Sequence, residues 1–109
     1  MNKFLYFANT TSDAIMVNVN HLSMIDVVDA DTVQFYFRSN DATDFSGSVL
    51  VDITSGKCKE FLKAIGKAIV NTRRVVITVA DDAGSEFFGT TDADGNTVAA
   101  TACGTIALS

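Results

Sequence analysis

The chain of 109 residues has no proline and no tryptophan, one histidine, two cysteines and only eight lysines and arginines. Each shortage excludes something. A lone histidine, His21, leaves Ser/His/Asp or Cys/His catalysis a single imidazole to run through, and no nucleophile elbow accompanies it. His21 lies in a polar stretch ahead of a predicted strand, so an exposed or hydrogen-bonded structural role is expected. Cys58 and Cys103 are too few for a disulfide scaffold, and with one distant histidine they lack the close-spaced ligand pairs of a zinc site. Buried free thiols in a reducing compartment are the expectation for both.

Long apolar runs are missing too. Lys3 to Ala8 holds five apolar residues in a row, against about 7–15 for a signal peptide and about 20 for a membrane span. The chain is therefore expected to be soluble, free of membrane and not secreted through a signal peptide. Thirteen acidic residues against eight basic ones give a net charge of −5, which disfavours nucleic acid as a general partner. Seven scattered glycines provide no phosphate loop, and no cofactor is expected. Thr54-Ser55-Gly56-Lys57 lacks the upstream glycine of a Walker loop and reads as a helix cap.

What is present is enough for one domain spanning 1–109: 48% hydrophobic and 19% charged residues, rich in strand formers. The runs 3–8 and 14–19 predict a first hairpin. Ser23–Val28 and Thr32–Arg38 predict a second, with Val33, Phe35 and Phe37 inward and Asp29-Ala30-Asp31 as its turn. Ser39–Gly47 reads as a polar loop, and Ser48–Thr54 as a fifth strand. From Gly56 to Val70, Cys58, Phe61, Leu62, Ile65 and Ile69 recur at helical spacing, with Thr54 or Ser55 as cap and Asn71 as stop. Arg73–Ala80 carries the apolar run Val75, Val76, Ile77 and Val79, which suggests a strand covered on both faces with the helix against one side. Glu86–Thr91 and Thr97–Leu108 predict a last hairpin around Asp94-Gly95. The small residues Ala99, Ala100, Ala102, Gly104 and Ala107 imply close approach by the helix or a second subunit. The expected fold is α+β: a mainly antiparallel small barrel or sandwich, ordered as five strands, one amphipathic helix and three strands.

Three surface features carry candidate chemistry. Lys59, Lys63 and Lys67 form a stripe on the polar side of the helix, near Arg73 and Arg74, suited to an anionic ligand or an acidic patch on an identical subunit. Asp81-Asp82 closes the apolar strand, where carboxylates could hold a metal for catalysis, with solvated strand ends as the plainer reading. Asp29/Asp31 and Asp92/Asp94 each set carboxylates two apart, as oxygen-rich calcium turns do; the second resembles a calcium-loop start but lacks the glycine and glutamate such a loop needs, so both are expected to be hairpin turns without metal.

Four segments carry a resemblance: Ser23-Met24-Ile25-Asp26, Gly56-Lys57-Cys58-Lys59-Glu60-Phe61-Leu62-Lys63-Ala64-Ile65, Val75 to Asp82, and Thr101-Ala102-Cys103-Gly104. Over roughly residues 20–106 the chain is similar to small uncharacterised proteins of marine bacteriophages. The resemblance implies a phage setting, with residence in host cytoplasm or virion and other virion proteins as neighbours. It implies no catalytic or binding residue. The function expected is a non-enzymatic phage structural or accessory protein acting as a homo-oligomer. The alternatives are a binding module for nucleic acid or an anionic ligand on Lys59/Lys63/Lys67, and a metal-dependent enzyme through Asp81/Asp82.

Overall fold

The computed structural model describes residues 3–38, 46–71, 75–91 and 94–108. Most of the 39–47 loop, the Arg73–Arg74 pair and Asp92 lie outside the described residues. The first hairpin forms from β1 (Phe4–Thr10) and β2 (Asp13–Asn18), and a 3-10 turn at Val19–His21 leads into β3 (Leu22–Asp29). Strand β4 (Thr32–Arg38) returns against β3, and β5 (Ser46–Ile53) pairs on the far side of β4. Helix α1 (Cys58–Asn71) follows, then β6 (Val76–Asp81), β7 (Glu86–Phe87), β8 (Gly89–Thr91) and β9 (Thr97–Leu108).

Two sheets result, in the orders β2-β1-β6-β7 and β3-β4-β5-β9-β8. Pairing is antiparallel except between β1 and β6. The five-stranded sheet curls as a half-barrel over the other, which makes this an α+β sandwich of barrel-like form. Alternation decides which side faces in: Val33, Phe35 and Phe37 of β4 are buried, while Thr32, Gln34 and Tyr36 between them are not. Phe7 of β1 meets Phe35 edge-on at 5.1 Å and Phe37 at 5.8 Å, so the aromatic centre of the core joins the two sheets.

Helix α1 closes one end. Its buried residues Cys58, Phe61 and Ile65 are one helical face, and they join the same core as Leu5, Val51 and Val79. At the N-terminal end the Cys58 thiol donates to the backbone oxygens of Asp29, at 3.3 Å, and Ala30, at 3.4 Å. At the other end the Lys3 ammonium donates to the Ile69 carbonyl, satisfying a backbone group that a helix end leaves open. The helix thus runs from the β3–β4 turn of one sheet to the start of β1 in the other.

Four details depart from the sequence reading. The residues 86–91 form two strands, so four strands follow the helix and not three. Phe88 is the reason: its N–H donates to Val79 of β6, while its carbonyl accepts from Ala100 of β9, so the chain changes sheets there. The Thr54 hydroxyl does not cap the helix, which begins at Cys58. It exchanges bonds with Ala99, accepting from the N–H at 3.2 Å and donating to the carbonyl at 3.3 Å. Strand β6 is not covered on both faces where it starts, since Val75 is 51% and Val76 37% exposed. Finally, the small residues of β9 meet strands of their own chain: a Cβ at Gly104 would lie 3.1 Å from Leu50, and one at Gly89 would lie 3.0 Å from that of Ala99.

Candidate functional site

The helix and the β7–β8 segment leave a channel between them. Phe61 reaches from α1 to Phe88 in an edge-on contact at 5.8 Å, which fixes the separation of the two elements. On one side of Phe88 lies a groove of about 660 Å³, with the apolar side chains Ala64, Ala68, Phe88 and Val98 along it. Lys63, Lys67 and Glu60 border it from the helix, and Gly89, Thr90 and Thr91 from the strand. A smaller recess of about 490 Å³ continues past Phe88 towards Thr78 and Glu86.

The lysine stripe is therefore split. Lys59, Lys63 and Lys67 are all exposed, but only Lys63 and Lys67 border the groove. Glu60 beside them already stands 3.8 Å from Lys57, so the groove carries a surplus of positive charge in a chain of net charge −5. That geometry can attract an anion or an acidic segment and shelter an adjoining apolar group. Sequence spacing pointed to the lysines. It missed Phe88, Thr90 and Thr91, because their part depends on the change of sheets at Phe88.

At the N-terminal end of α1 the Asp29–Asp31 turn gathers negative charge. The Asp31 N–H donates to the Asp29 carboxylate at 3.2 Å, which lowers the Asp29 pKa from its ordinary value. Asp31 is raised in turn, first by its hydrogen bond with Asp29 and then by the charge of Asp29. Thr32 donates to Asp31 and to Asp52, both at 3.3 Å, and so links the turn to β5. Burial, and then the charges of Asp29 and Asp31, push the Cys58 thiol above its ordinary range. A thiol so placed is a poor nucleophile.

Asp81 and Asp82 both serve the backbone. Asp81 accepts from the Gly84 N–H at 2.8 Å and fixes the turn into β7. Asp82 accepts from the Cys103 N–H at 3.1 Å and ties β6 to β9 across the sandwich. Cys103 is raised to about 11, chiefly by burial and next by Asp82. Among the described residues no group of three or more His, Cys, Asp and Glu is placed to hold a metal ion. His21 ends the 3-10 turn, half-buried. Among the described residues, no helix is long and apolar enough to cross a membrane.

A third surface had no signal in the residue types alone. Strand β3 is the outermost strand of its sheet, and Met24, Val27 and Val28 on it are 51%, 41% and 49% exposed. Its pattern Met24-Ile25-Asp26-Val27-Val28 breaks strict alternation, and two register shifts against β4 accompany the break. No family model matches this chain, and neither a curated protein nor a solved structure matches it.

Proposed function

We propose that this chain is a non-enzymatic structural or accessory protein of a bacteriophage, working through association with copies of itself in the host cytoplasm or the virion. The free edge of β3 carries the reading. Eight residues long, it ends its sheet with no strand paired on its outer side among the described residues, and it carries three large exposed apolar side chains. Soluble proteins usually blunt such an edge with lysine, proline or a covering loop, because it recruits another strand. Here there is no proline in the chain and no lysine on the strand, and the two register shifts and the carboxylates of Asp26 and Asp29 leave Met24, Val27 and Val28 exposed.

The test is sedimentation velocity over a range up to high micromolar concentration, on the parent and on Val27→Lys. The parent should form defined oligomers and the variant should not, while both keep the same circular dichroism spectrum. A parent that stays monomeric throughout sinks the reading. A second reading, binding of an anionic ligand or nucleic acid, draws on Lys63 and Lys67 beside the groove. It calls for salt-dependent oligonucleotide binding that a Lys59/Lys63/Lys67 triple alanine variant loses.

A further inference from the structure

We propose that the outward side of α1, carrying Lys59, Lys63 and Lys67, lies along the phosphodiester backbone of nucleic acid and holds it without reading its bases. The inference rests on the second reading above, and it moves the contact from the groove to the solvent side of the helix. With about 3.6 residues per turn, positions 59, 63, 66, 67 and 70 share one side of α1. All five residues there, Lys59, Lys63, Gly66, Lys67 and Val70, are exposed, while Cys58, Phe61 and Ile65 bury the opposite side in the core.

Two features of the outward side weaken the helix. Lysines four apart repel one another. Gly66, in the interior of the helix, gives up helix propensity. No neighbour requires a glycine there, since a Cβ on it would meet nothing within 4 Å. None of the three lysines makes an ion pair among the described residues. The one carboxylate of α1, Glu60, stands 3.8 Å from Lys57 instead. A partner that brings negative charge to this side relieves the repulsion. Of the thirteen acidic residues only Glu60 lies on α1, so a polyanion is steered to this side of an otherwise acidic chain.

Spacing and chemistry choose among anionic partners. Four residues of rise set neighbouring lysines about 6 Å apart along the axis, and Lys59 about 12 Å from Lys67. A single carboxylate or phosphate meets only part of that row, whereas a strand with a phosphate every ~3.4 Å of rise meets all of it. An anionic bilayer would ask for several large apolar side chains on the same side. Val70 is the one apolar residue there. Lysine is a compact point charge, and no arginine or aromatic residue lies on this side to fork onto a base or stack on one. Such contacts position a backbone and carry no sequence information. Bare backbone at Gly66 lets the strand lie close to the helix beside Lys63 and Lys67.

The test is fluorescence anisotropy of a short labelled DNA duplex of arbitrary sequence, titrated with the full chain at a series of salt concentrations. Three phosphate contacts give a slope of about −2.7 in log K against log salt, so a threefold rise in salt should weaken binding about twentyfold. Lys59→Ala, whose side chain lies outside the groove, should reduce that slope by about 0.9, so that the same rise weakens binding about sevenfold. Gly66→Glu has open room for its side chain and regains helix propensity. It should unfold at no lower urea than the parent and yet bind more weakly, which separates binding from stability. Binding lost in Lys63→Ala/Lys67→Ala but indifferent to Lys59→Ala and Gly66→Glu overturns the inference and leaves an anionic ligand in the groove. Equally tight binding of polyglutamate, or of phosphatidylserine vesicles, overturns the choice of nucleic acid. No binding at low salt overturns the inference and the second reading together.

Discussion

Replacing Phe61 by alanine tests the seat of the helix directly. The ring is fully buried and lies edge-on to Phe88 at 5.8 Å, with an interplanar angle of 86°. Truncating a buried phenylalanine costs about 3–5 kcal/mol, through lost transfer energy and the cavity left behind. About 0.5–1.5 kcal/mol of that belongs to the ring pair. A domain of this size has about 5–15 kcal/mol in total, so Phe61→Ala should remove from about a fifth of it to nearly all of it. With a urea dependence of about 2 kcal/mol per M, a loss of ~4 kcal/mol lowers the unfolding midpoint by about 2 M. Far-ultraviolet circular dichroism in urea measures this. Phe88→Ala and the double variant complete a cycle whose coupling should equal the ring-pair energy. A cost under ~1 kcal/mol with no coupling to Phe88 would show that α1 does not close the sandwich at this place, and the groove beside it would lose its basis.

Three further outcomes follow from contacts elsewhere in the fold. With Cys103 raised from an ordinary 9.0 to about 11, the folded chain holds the thiol proton where the unfolded chain releases it. Stability from this thiol is therefore complete below about pH 9 and falls as pH climbs towards 11, a decline that Cys103→Ala should lack in urea titrations at successive pH values. At pH 8 both native thiols should resist iodoacetamide and react once urea unfolds the chain, whereas rapid native labelling would contradict their burial. Lys3→Met removes the ammonium from the Ile69 carbonyl at the end of α1 and should cost about 1 kcal/mol, lowering the melting temperature by about 4–8 °C. An unchanged melting curve would mean that the contact contributes nothing.

The parts of the fold legible in the sequence are those whose cause is local. The alternation of Val33, Phe35 and Phe37 is a property of one strand, and it placed all three in the core. The spacing of Cys58, Phe61 and Ile65 likewise belongs to one helix and names its buried face, while Leu62 and Ile69 on its flanks are only half-buried. The Asp29–Asp31 turn bonds its own amide as short polar turns do. What escaped is non-local. The parallel pairing of β1 with β6 joins segments far apart in the chain. Thr54 has the composition of a helix cap, but β9 arrives to take its hydroxyl, and nothing near Thr54 announces that. The groove is likewise a joint product of α1 and β8, so its lysines were visible and its strand side was not.

Phe88 has one more consequence. Its peptide group is a rivet: the N–H is fastened to one layer and the carbonyl to the other, with its ring wedged under the helix. Layers joined only through side-chain contact can part along the plane between them, but layers sharing a backbone linkage cannot peel without tearing it. Amide exchange should therefore find the slowest protons of both layers opening together, in a single cooperative event that includes the helix.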